Sequence, residues 1–406
     1  MKIQPKTLKG FRDFLPNEAR KRNFVIETLK RVFESCGFEP LETPTLEYEE
    51  ILAGKYGEEA DRLMYKFEDR GERKVALRYD QTVPLARVVA QYANALPFPF
   101  KRYQIQNVWR AENTQKGRFR EFLQCDIDIV GSISPSADGE VIAIVDACLK
   151  ALGFGGKYKI MLNDRRNFEG LDPEVIRTID KLGKIGFDGV EKELVEKKIV
   201  KTIEEARDLY SELDSKPVSE WLGYVKSYAL ANGADKWGIG FSPTLARGLD
   251  YYTSTIVEVT IDGYSGGSVG GGGRYDNLIG MFSGQNIPAV GFAFGFDRII
   301  EAMEELGLFP KELSETKALV TIFSKEFFSN SAELAQELRK EGISTDLYPD
   351  EDIKLEKQLK YADKKGIKFV IVLGPEEIKN DKVTVKNLET RTQVSVNKND
   401  LLNVLA

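Results

Sequence analysis

The 406-residue sequence contains no histidine and only three cysteines. The absence of histidine excludes Ser-His-Asp or Cys-His catalysis, a histidine general base and a histidine-ligated zinc ion. It also leaves no side chain whose unperturbed pKa lies between about 5 and 8. Any chemistry must therefore depend on carboxylates, arginine, lysine, tyrosine, hydroxyl groups or the substrate itself. We expect no protein metal site.

Long apolar runs are also absent. No stretch approaches the ~18 apolar residues that a membrane span requires. The start of the chain, residues 1–5, lacks the apolar segment of a signal peptide. Cys36, Cys125 and Cys148 are odd in number and far apart in the sequence, and no CxxC pair occurs. These features predict a cytoplasmic protein with reduced thiols and no membrane association.

The composition is that of a globular protein, with 42% hydrophobic and 30% charged residues. A chain of this length is expected to form two to four domains. The formal charge of −6 argues against a protein that coats nucleic acid, although it leaves room for a local basic patch.

The hydrophobic periodicity divides the chain into three parts. Residues 1–164 and 236–312 mix helices and strands and form one core. Residues 165–235 are rich in charge and helical spacing, and they predict a helical insertion. Residues 317–406 alternate strand and helix, which predicts a small α/β domain with a largely parallel core. This last part carries as many basic as acidic residues, 15 of each, which suits contact with a polyanion better than the acidic remainder of the chain does.

The most informative segment is a predicted β-hairpin whose strands cover residues 101–110 and 120–130. Residues alternate between two faces of a strand, so polar side chains of both strands share one face. They are Arg102, Gln104, Gln106, Arg110, Arg120, Phe122, Gln124, Asp126 and Asp128. Arginine suits phosphates and carboxylates, and an aromatic ring suits a nucleobase. The face is therefore either a ligand-binding surface or the solvated side of an amphipathic sheet.

Three further segments have unusual residues, and each allows an ordinary explanation. Residues 247–252 (RGLDYY) precede a strand and are either functional or a plain turn with core tyrosines. The glycine cluster at 263–273 either approaches a ligand closely or forms a flexible hairpin tip in the turn between two strands. Residues 291–298 form a buried strand that leads into a helix with Arg298 in its first turn. A cation there opposes the helix dipole, which suggests a nearby anion or simple surface placement.

Together these segments resemble class II aminoacyl-tRNA synthetases, most closely the histidyl-tRNA synthetases, over essentially the whole chain. Residues 37–44, 110–124 and 291–298 resemble motifs 1, 2 and 3 of the class. Residues 247–252 and 272–276 resemble signatures of the histidine-specific members, and residues 317–406 resemble their anticodon-binding domain. The resemblance implies an α+β catalytic domain, an antiparallel sheet flanked by helices, with a helical insertion and a C-terminal α/β domain. Motif 1 implies a homodimer.

The resemblance also implies roles for individual residues. The amino group of histidine would meet Asp80, Thr82 and Gln124. The imidazole would meet Asp128 and Tyr252, with Tyr251 close by. Arg247 would bridge the carboxylate and the α-phosphate, and Arg110 and Arg298 would share the catalytic work. The residues implied for ATP, which brings Mg²⁺ with it, are Arg110, Glu112, Arg118, Phe122 and Arg298.

The activity implied is a histidine–tRNA ligase, which forms histidyl-adenylate and pyrophosphate from histidine and ATP and then charges the cognate tRNA. The main alternative is a non-catalytic paralogue that regulates an ATP phosphoribosyltransferase in histidine biosynthesis. Such paralogues usually lack the anticodon-binding domain and the motif arginines. A synthetase for another amino acid is a third possibility, disfavoured because an acidic acceptor suits an imidazole N–H. One stretch, Asp80-Gln81-Thr82, departs from the Glu-Gly-Thr of many bacterial members.

Overall fold

The structure is a computed structural model that describes residues 3–55, 58–114, 117–248, 251–310, 313 and 316–405, with only the backbone of 58–60 and 184. The chain divides into two compact units. The larger unit contains residues up to Leu15 and Lys21–Phe309, and the smaller unit contains Pro16–Arg20 and Pro310–Ala406. Among the described residues, no helix combines the length and the apolarity that crossing a membrane demands.

The helices of the first 310 residues are numbered in chain order. They are α1 (Pro16–Ser35), α2 (Glu49–Leu52), α3 (Glu58–Leu63), α4 (Thr82–Tyr92), α5 (Pro135–Ala151), α6 (Pro173–Ile179), α7 (Leu182–Glu196), α8 (Ile203–Asp214), α9 (Glu220–Ala231), α10 (Gly280–Ser283) and α11 (Phe296–Glu305). Helix α1 illustrates why they form: Val25, Leu29 and Phe33 recur at helical spacing and are fully buried. The predicted helices near 17–35, 84–95 and 138–151 are confirmed.

The strands of the larger unit are β1 (Glu39–Pro40), β2 (Leu46–Tyr48), β3 (Lys66–Glu68), β4 (Lys74–Leu77), β5 (Phe100–Trp109), β6 (Glu121–Val130), β7 (Tyr158–Asp164), β8 (Ile239–Phe241), β9 (Thr255–Ile261), β10 (Gly270–Arg274) and β11 (Ala289–Gly295). In the described residues, eight of them form one sheet in the order β1-β5-β6-β11-β10-β9-β7-β8. All neighbours pair antiparallel except the two edge pairs, β1–β5 and β7–β8. The predicted antiparallel sheet flanked by helices is confirmed.

The predicted hairpin is β5 and β6, and both of its faces are covered. One face contributes Cys125, Ile127 and Ile129 to the main hydrophobic core, beside α1 and α5. On the other face, the side chains of Arg102 and Asp126 are at most 2% exposed. A solvated sheet face is therefore the wrong interpretation, because this polar face lies inside the unit.

The glycine cluster is the clearest difference from the expected secondary structure. Its last four glycines belong to strand β10 in the middle of the sheet, and so they are not part of a turn. A Cβ atom at Gly272 would lie 2.1 Å from the carbonyl oxygen of Gly291, and one at Gly270 would lie 2.6 Å from the ring of Phe292. Glycine is required here because neighbouring strands and rings leave no space for a side chain.

Residues 165–235 are helical and contain no strand, as the charge and spacing predict. Helices α6, α7 and α8 share a hydrophobic cluster that includes Val175, Leu194 and Leu213. Helix α9 instead packs on α5, and its Val225 belongs to the core of the main sheet.

The smaller unit carries an independent sheet and core. Its elements are β12 (Ala318–Val320), α12 (Phe328–Lys340), β13 (Thr345–Leu347), α13 (Leu355–Lys365), β14 (Phe369–Val372), α14 (Pro375–Lys379), β15 (Lys382–Asn387), β16 (Thr392–Asn397) and α15 (Leu401–Leu405). Strand β12 pairs in parallel with β13 and β14, and β15 and β16 add an antiparallel hairpin. The predicted α/β domain with a parallel core is confirmed.

Candidate active site

The bottom of the candidate site is the polar face of β6. Gln124, Asp126 and Asp128 occupy alternate positions on this strand and therefore point to the same side. The opposing residues on the neighbouring β11 are Gly291, beside Asp128, and Ala293, beside Asp126. These small residues make room for the carboxylates: a Cβ atom at Gly291 would lie 1.9 Å from Asp128 Oδ1.

Asp128 is held by two buried partners. Strand pairing places Arg102 directly opposite Asp128, and Arg102 Nη2 lies 2.6 Å from Asp128 Oδ2, although the angles are not those of a hydrogen bond. Tyr275 donates its hydroxyl hydrogen to Asp128 Oδ1. Neither Arg102 nor Asp128 is more than 3% exposed. The acidic acceptor implied by the resemblance is thus fixed from both sides.

Asp126 and Asp128 differ in their affinity for a proton. Burial raises the pKa of Asp126 to about 8, with Arg102 opposing the shift and Asp128 adding to it. Burial also raises the pKa of Asp128, but Arg102 and the hydrogen bond from Tyr275 limit the increase to about 6. Asp126 therefore keeps its proton to a higher pH than Asp128 does.

The segment before α4 contributes the next side of the pocket. Asp80 Oδ1 accepts a hydrogen bond of 3.1 Å from the Val83 backbone N–H in the first turn of α4. The side chain of Gln81 is fully buried, and its Nε2 donates to the carbonyls of Gln106 (2.8 Å) and Gln124 (3.1 Å). Gln81, which stands where many bacterial members have glycine, thus attaches the start of α4 to the hairpin.

Two tyrosines from the predicted segment 247–252 line another side of the pocket. Tyr251 is hydrogen-bonded to Thr82, and Tyr252 is hydrogen-bonded to Tyr251. The two rings meet edge to face with centroids 4.9 Å apart, and Tyr251 also contacts the ring of Tyr275 at 5.8 Å. Tyr251 and Tyr252 are therefore both packed residues and members of the candidate site.

Arg110, the arginine of the motif 2 resemblance, connects this pocket to the part of the β6 face around Phe122. Arg110 donates to the Tyr79 carbonyl (3.1 Å) and to Gln124 Oε1 (3.5 Å). Its guanidinium lies 4.4 Å from the Tyr79 ring centroid and 5.1 Å from that of Phe122. Phe122 and Arg110 are thus brought together as expected.

The loop between β5 and β6 carries Glu112 and Arg118. Their carboxylate and guanidinium groups are 3.6 Å apart, and both side chains are partly exposed. The Glu112 carbonyl also accepts a hydrogen bond of 3.1 Å from Arg120. Residues 115–116 of this loop lie outside the described residues.

Arg247 lies over the sheet beside β10. Its Nη1 is 3.0 Å from Glu258 Oε2 on β9. A Cβ atom at Gly271 would lie 2.6 Å from Arg247 Cζ, so the guanidinium rests directly on the glycine backbone. Burial disfavours its charge, but Tyr252, Glu258 and Asp180 outweigh burial and raise its pKa. Leu249 and Asp250 of the same predicted segment lie outside the described residues.

Arg298 completes a group of three arginines. Burial lowers its pKa, and the positive charges of Arg118 and Arg247 lower it further, against the effects of Tyr264 and Glu301. It donates to the Ser268 carbonyl at 2.6 Å. Like charges that gather beside one another are stabilised by an anion. An anion near the start of α11, as the sequence suggests, would therefore have Arg118, Arg247 and Arg298 as partners.

The predicted residues, together with Asp126 and Tyr275, which the structure adds, form two adjoining groups on one sheet face. The inner group, which we call the carboxylate pocket, comprises Asp80, Thr82, Gln124, Asp126, Asp128, Tyr251, Tyr252 and Tyr275. The outer group, which we call the arginine mouth, comprises Arg110, Glu112, Arg118, Phe122, Arg247 and Arg298. Arg110 joins the groups by its bond to Gln124.

Sequence reasoning gave no role to several residues that the structure places in the site. Arg102 and Asp126 were on the polar face of the hairpin without a role, and only the strand register shows that Arg102 lies opposite Asp128. Glu258 lies on β9 and Tyr275 directly follows β10, and no local pattern predicts their contacts. Arg274, in the same signature as Tyr275, has a structural role: it forms a buried ion pair with Asp138. In the described residues, no three cysteine, aspartate or glutamate side chains are grouped to hold a metal ion.

Known proteins resemble this chain along its whole length. The sequence profile of the family described as histidyl-tRNA synthetase matches residues 10–174 and 191–299, and that of an anticodon binding domain matches residues 317–406. A histidine–tRNA ligase of Rhodopirellula baltica is 42% identical, with 97% of this chain and 96% of that protein covered. One of Wolinella succinogenes is 40% identical, with 95% and 94% covered.

Solved structures give the same result. The crystal structure of histidyl-tRNA synthetase from Nostoc sp. PCC 7120 matches with a TM-score of 0.84 and 31% identity, covering 100% of this chain and 99% of that one. A structure described as an ATP phosphoribosyltransferase regulatory subunit/histidyl-tRNA synthetase from Bacillus halodurans C matches with a TM-score of 0.71, covering 89% and 97%. At 23% identity, that likeness shows the fold alone. The profile match and the full-length relatives establish that the chain belongs to the histidyl-tRNA synthetase family.

Proposed function

We propose that this chain is a histidine–tRNA ligase that activates histidine with ATP and transfers it to the 3′ end of its cognate tRNA. The observation that carries the proposal is the junction of the carboxylate pocket with the arginine mouth on one sheet face. The first group suits an amino acid with a polar ring, and the second suits phosphates. The full-length likeness to histidine–tRNA ligases supports the same activity.

The first reaction joins two anions. The carboxylate of histidine attacks the α-phosphate of ATP, a bond forms between carboxylate oxygen and phosphorus, and pyrophosphate leaves. The attacking carboxylate is already ionised, so a general base is unnecessary. The absence of histidine from the chain therefore does not impair this step. What the reaction needs is orientation and positive charge around the phosphate. Arg247 interacts with Tyr252 of the pocket and with Arg298 of the mouth, which supports its assignment to both reactants.

The arginine mouth is assigned to ATP. Arg110 contacts the α-phosphate, and Arg118 and Arg298 contact the terminal phosphates, where their mutual repulsion is relieved by the ligand's negative charge. Phe122 stacks on adenine and Glu112 lies on the adenine side. Mg²⁺ arrives with the ATP phosphates as part of the substrate.

The carboxylate pocket is assigned to histidine. Asp80, Thr82 and Gln124 receive the amino group, and Asp128 and Tyr252 receive the imidazole, with Tyr251 supporting Tyr252. Asp128 suits an imidazole N–H because Arg102 and Tyr275 keep it charged and oriented.

The remaining assignments concern partners and organisation. The likeness of residues 317–406 to an anticodon binding domain supports tRNA as the second substrate. We assign residues 1–164 and 236–312 to the catalytic core and 165–235 to a helical insertion. We further propose a cytoplasmic homodimer that assembles through residues 37–44.

The regulatory alternative is not favoured. Regulators of this fold usually lose the motif arginines and the C-terminal domain, whereas this chain has Arg110, Arg247, Arg298 and a domain at 317–406.

ATP–pyrophosphate exchange tests the proposal. We expect exchange that depends on histidine and that no other amino acid supports. Exchange that is absent, or that another amino acid drives equally well, would contradict the assignment. Aminoacylation of tRNA by the same preparation then tests the second step.

A further inference from the structure

Two arginines of the mouth, Arg118 and Arg298, each have a neighbour in the chain that contacts the same residue. Arg118 is followed by Phe119, and Arg298 is preceded by Asp297. The guanidinium of Arg12 lies 3.1 Å from the centroid of the Phe119 ring, and its Nη2 donates a hydrogen bond of 2.8 Å to Asp297 Oδ2. Arg12 therefore joins the two segments that carry Arg118 and Arg298.

The backbone beside Arg12 approaches one of these segments at a second point. The Gly10 carbonyl accepts a hydrogen bond of 2.9 Å from the backbone N–H of Arg120, just before β6. Gly10 has a φ of +87°, and a Cβ atom there would lie 2.7 Å from Arg120 Cγ. Glycine is required because both the positive φ and the close approach exclude a side chain. The segment that carries Arg12 is thus fixed against the β5–β6 loop.

The carboxylate of Asp297 is held on both oxygens. While Arg12 contacts Oδ2, Nη1 of Arg22 on α1 donates a hydrogen bond of 2.7 Å to Oδ1. The guanidinium of Arg22 also lies 3.9 Å from the ring centroid of Phe14. Hydrogen bonds between charged groups are stronger than neutral ones. The first turn of α11, which carries Arg298, is therefore anchored through Asp297.

These contacts act against a repulsion within the mouth. Burial lowers the pKa of Arg298, and Arg118 and Arg247 lower it further, so the positive charges lie close enough to repel one another. The loop also lies against α11, since a Cβ atom at Gly117 would be 3.2 Å from Glu301 Oε2 and 3.8 Å from Arg298 Cγ. Loop and helix would reduce the repulsion by moving apart. A link between them opposes that movement.

We propose that Arg12 is a positioning residue that holds Arg118 and Arg298 at the spacing that the terminal phosphates of ATP require. Charges that are already in place bind an anion more tightly, because binding does not have to order them first. Arg12 acts through Phe119 and Asp297 and contacts neither reactant. The proposal rests on the proposed function, because it explains how part of the arginine mouth is kept ready for ATP.

The test compares ATP with AMP, because AMP lacks the phosphates assigned to Arg118 and Arg298. ATP–pyrophosphate exchange with the full chain gives the KM for ATP, the KM for histidine and the inhibition constant of AMP. Arg12→Met should raise the KM for ATP about tenfold, the value of a hydrogen bond between charged groups. The other two constants should change by less than about twofold, because sites without shared partners respond almost independently.

A matched control is Lys21→Met. Lys21 pairs with Glu304, another carboxylate of α11, at 2.6 Å, and Glu304 is more exposed than Asp297. The variant removes one cation beside the same helix without touching the link to Phe119. All three constants should remain unchanged, since an exposed ion pair contributes little.

Phe119→Leu tests the link from its other end. It removes the ring beside the Arg12 guanidinium and leaves Asp297 in place, so it should raise the KM for ATP about threefold without changing the inhibition constant of AMP. The double variant of Arg12→Met and Phe119→Leu should be no worse than Arg12→Met alone, because both substitutions interrupt one link.

Three results would overturn the proposal. The first is an unchanged KM for ATP in Arg12→Met. The second is an equal rise in the constants for ATP and AMP, which would show a general distortion of the site. The third is a double variant whose loss is the product of the two single losses. If Arg12→Met does not fold, Phe119→Leu decides: a rise for ATP alone supports the link, and no rise or an equal rise for AMP contradicts it.

Failure of the proposed function would look different. In that case the unaltered chain would show no histidine-dependent exchange. The same variants would then be compared by calorimetric titration with ATP and with AMP, with the same expected difference between the two nucleotides. Normal exchange without a selective loss for ATP in Arg12→Met would contradict the positioning role alone.

Discussion

The carboxylate pocket and the arginine mouth occupy the same face of the same sheet, yet they treat charge in opposite ways. In the pocket, acidic groups gather around one buried cation, Arg102, which pairs with Asp128. In the mouth, Arg118, Arg247 and Arg298 stand near one another, and burial together with the repulsion from the other two arginines lowers the pKa of Arg298. The first region surrounds a buried cation with acidic groups, and the second gathers cations that an anion would stabilise.

This difference separates what stabilises the fold from what serves the reaction. Removing a charge from the pocket leaves a buried partner alone, which is among the costlier changes in a protein interior. Removing a charge from the mouth relieves repulsion. The two regions should therefore respond differently to the same substitution.

The largest contrast is expected between Arg102→Met and Arg298→Met. The first leaves Asp126 and Asp128 buried without their cation and should lower the free energy of unfolding by about 3–5 kcal/mol. The second removes one of three neighbouring positive charges and should change the free energy of unfolding by less than about 1 kcal/mol in either direction. Urea unfolding without ligand, followed on the larger unit, measures both values.

Arg102→Lys is the control for this comparison, since it keeps the positive charge that Arg102→Met removes but lacks the planar guanidinium group. It should recover part of the lost stability. Equal destabilisation by the two methionine variants would remove the distinction between the regions.

Arg247→Ala should have the next largest effect, because Arg247 belongs to the junction of the two regions. We expect adenylation to slow by about 10²- to 10³-fold, the usual cost of losing one preorganised group that stabilises developing charge. ATP binding should weaken far less. Pre-steady-state exchange with histidine, together with ATP titration, separates the two quantities. Equal losses in rate and binding would show that Arg247 only binds.

A smaller effect is expected from Gly291→Ala in the wall of the pocket. The new Cβ atom would lie 1.9 Å from Asp128 Oδ1, so the carboxylate must move away from its partners. We expect the KM for histidine to rise about tenfold, the value of one weakened hydrogen bond to a charged group. The KM for ATP should change little.

Ala293→Gly, the neighbouring position on β11, provides a matched control for the backbone of that strand. It adds space beside Asp126 without a collision. An equal rise in both KM values after Gly291→Ala would mean that the sheet itself had been distorted.

Much of the framework could be predicted from the chain alone. Alternation along residues 101–110 and 120–130 predicts the hairpin and its polar face, because the side-chain period of a strand is fixed by the backbone. The same rule cannot tell whether the polar face is solvent-exposed or buried. That depends on Tyr251 and Tyr275, which reach the hairpin from loops more than 120 residues away in the chain.

The glycine cluster shows a different limit. Glycine is common in turns, and this preference predicts a turn at residues 263–273. The structure instead uses Gly270–Gly273 in a central strand, because Phe292, the Gly291 carbonyl and Arg247 occupy the space where Cβ atoms would be. Local propensity was outweighed by packing between segments that only the folded sheet brings together.

The central claim is that amino-acid recognition and phosphate recognition occupy separate parts of one sheet face. The most direct test measures the KM for histidine and the KM for ATP in Asp128→Asn and Arg298→Met by the exchange assay. We predict that Asp128→Asn raises only the first, by about 10- to 150-fold, and that Arg298→Met raises only the second, by a similar factor. Variants that each raise both constants to the same extent would contradict the account.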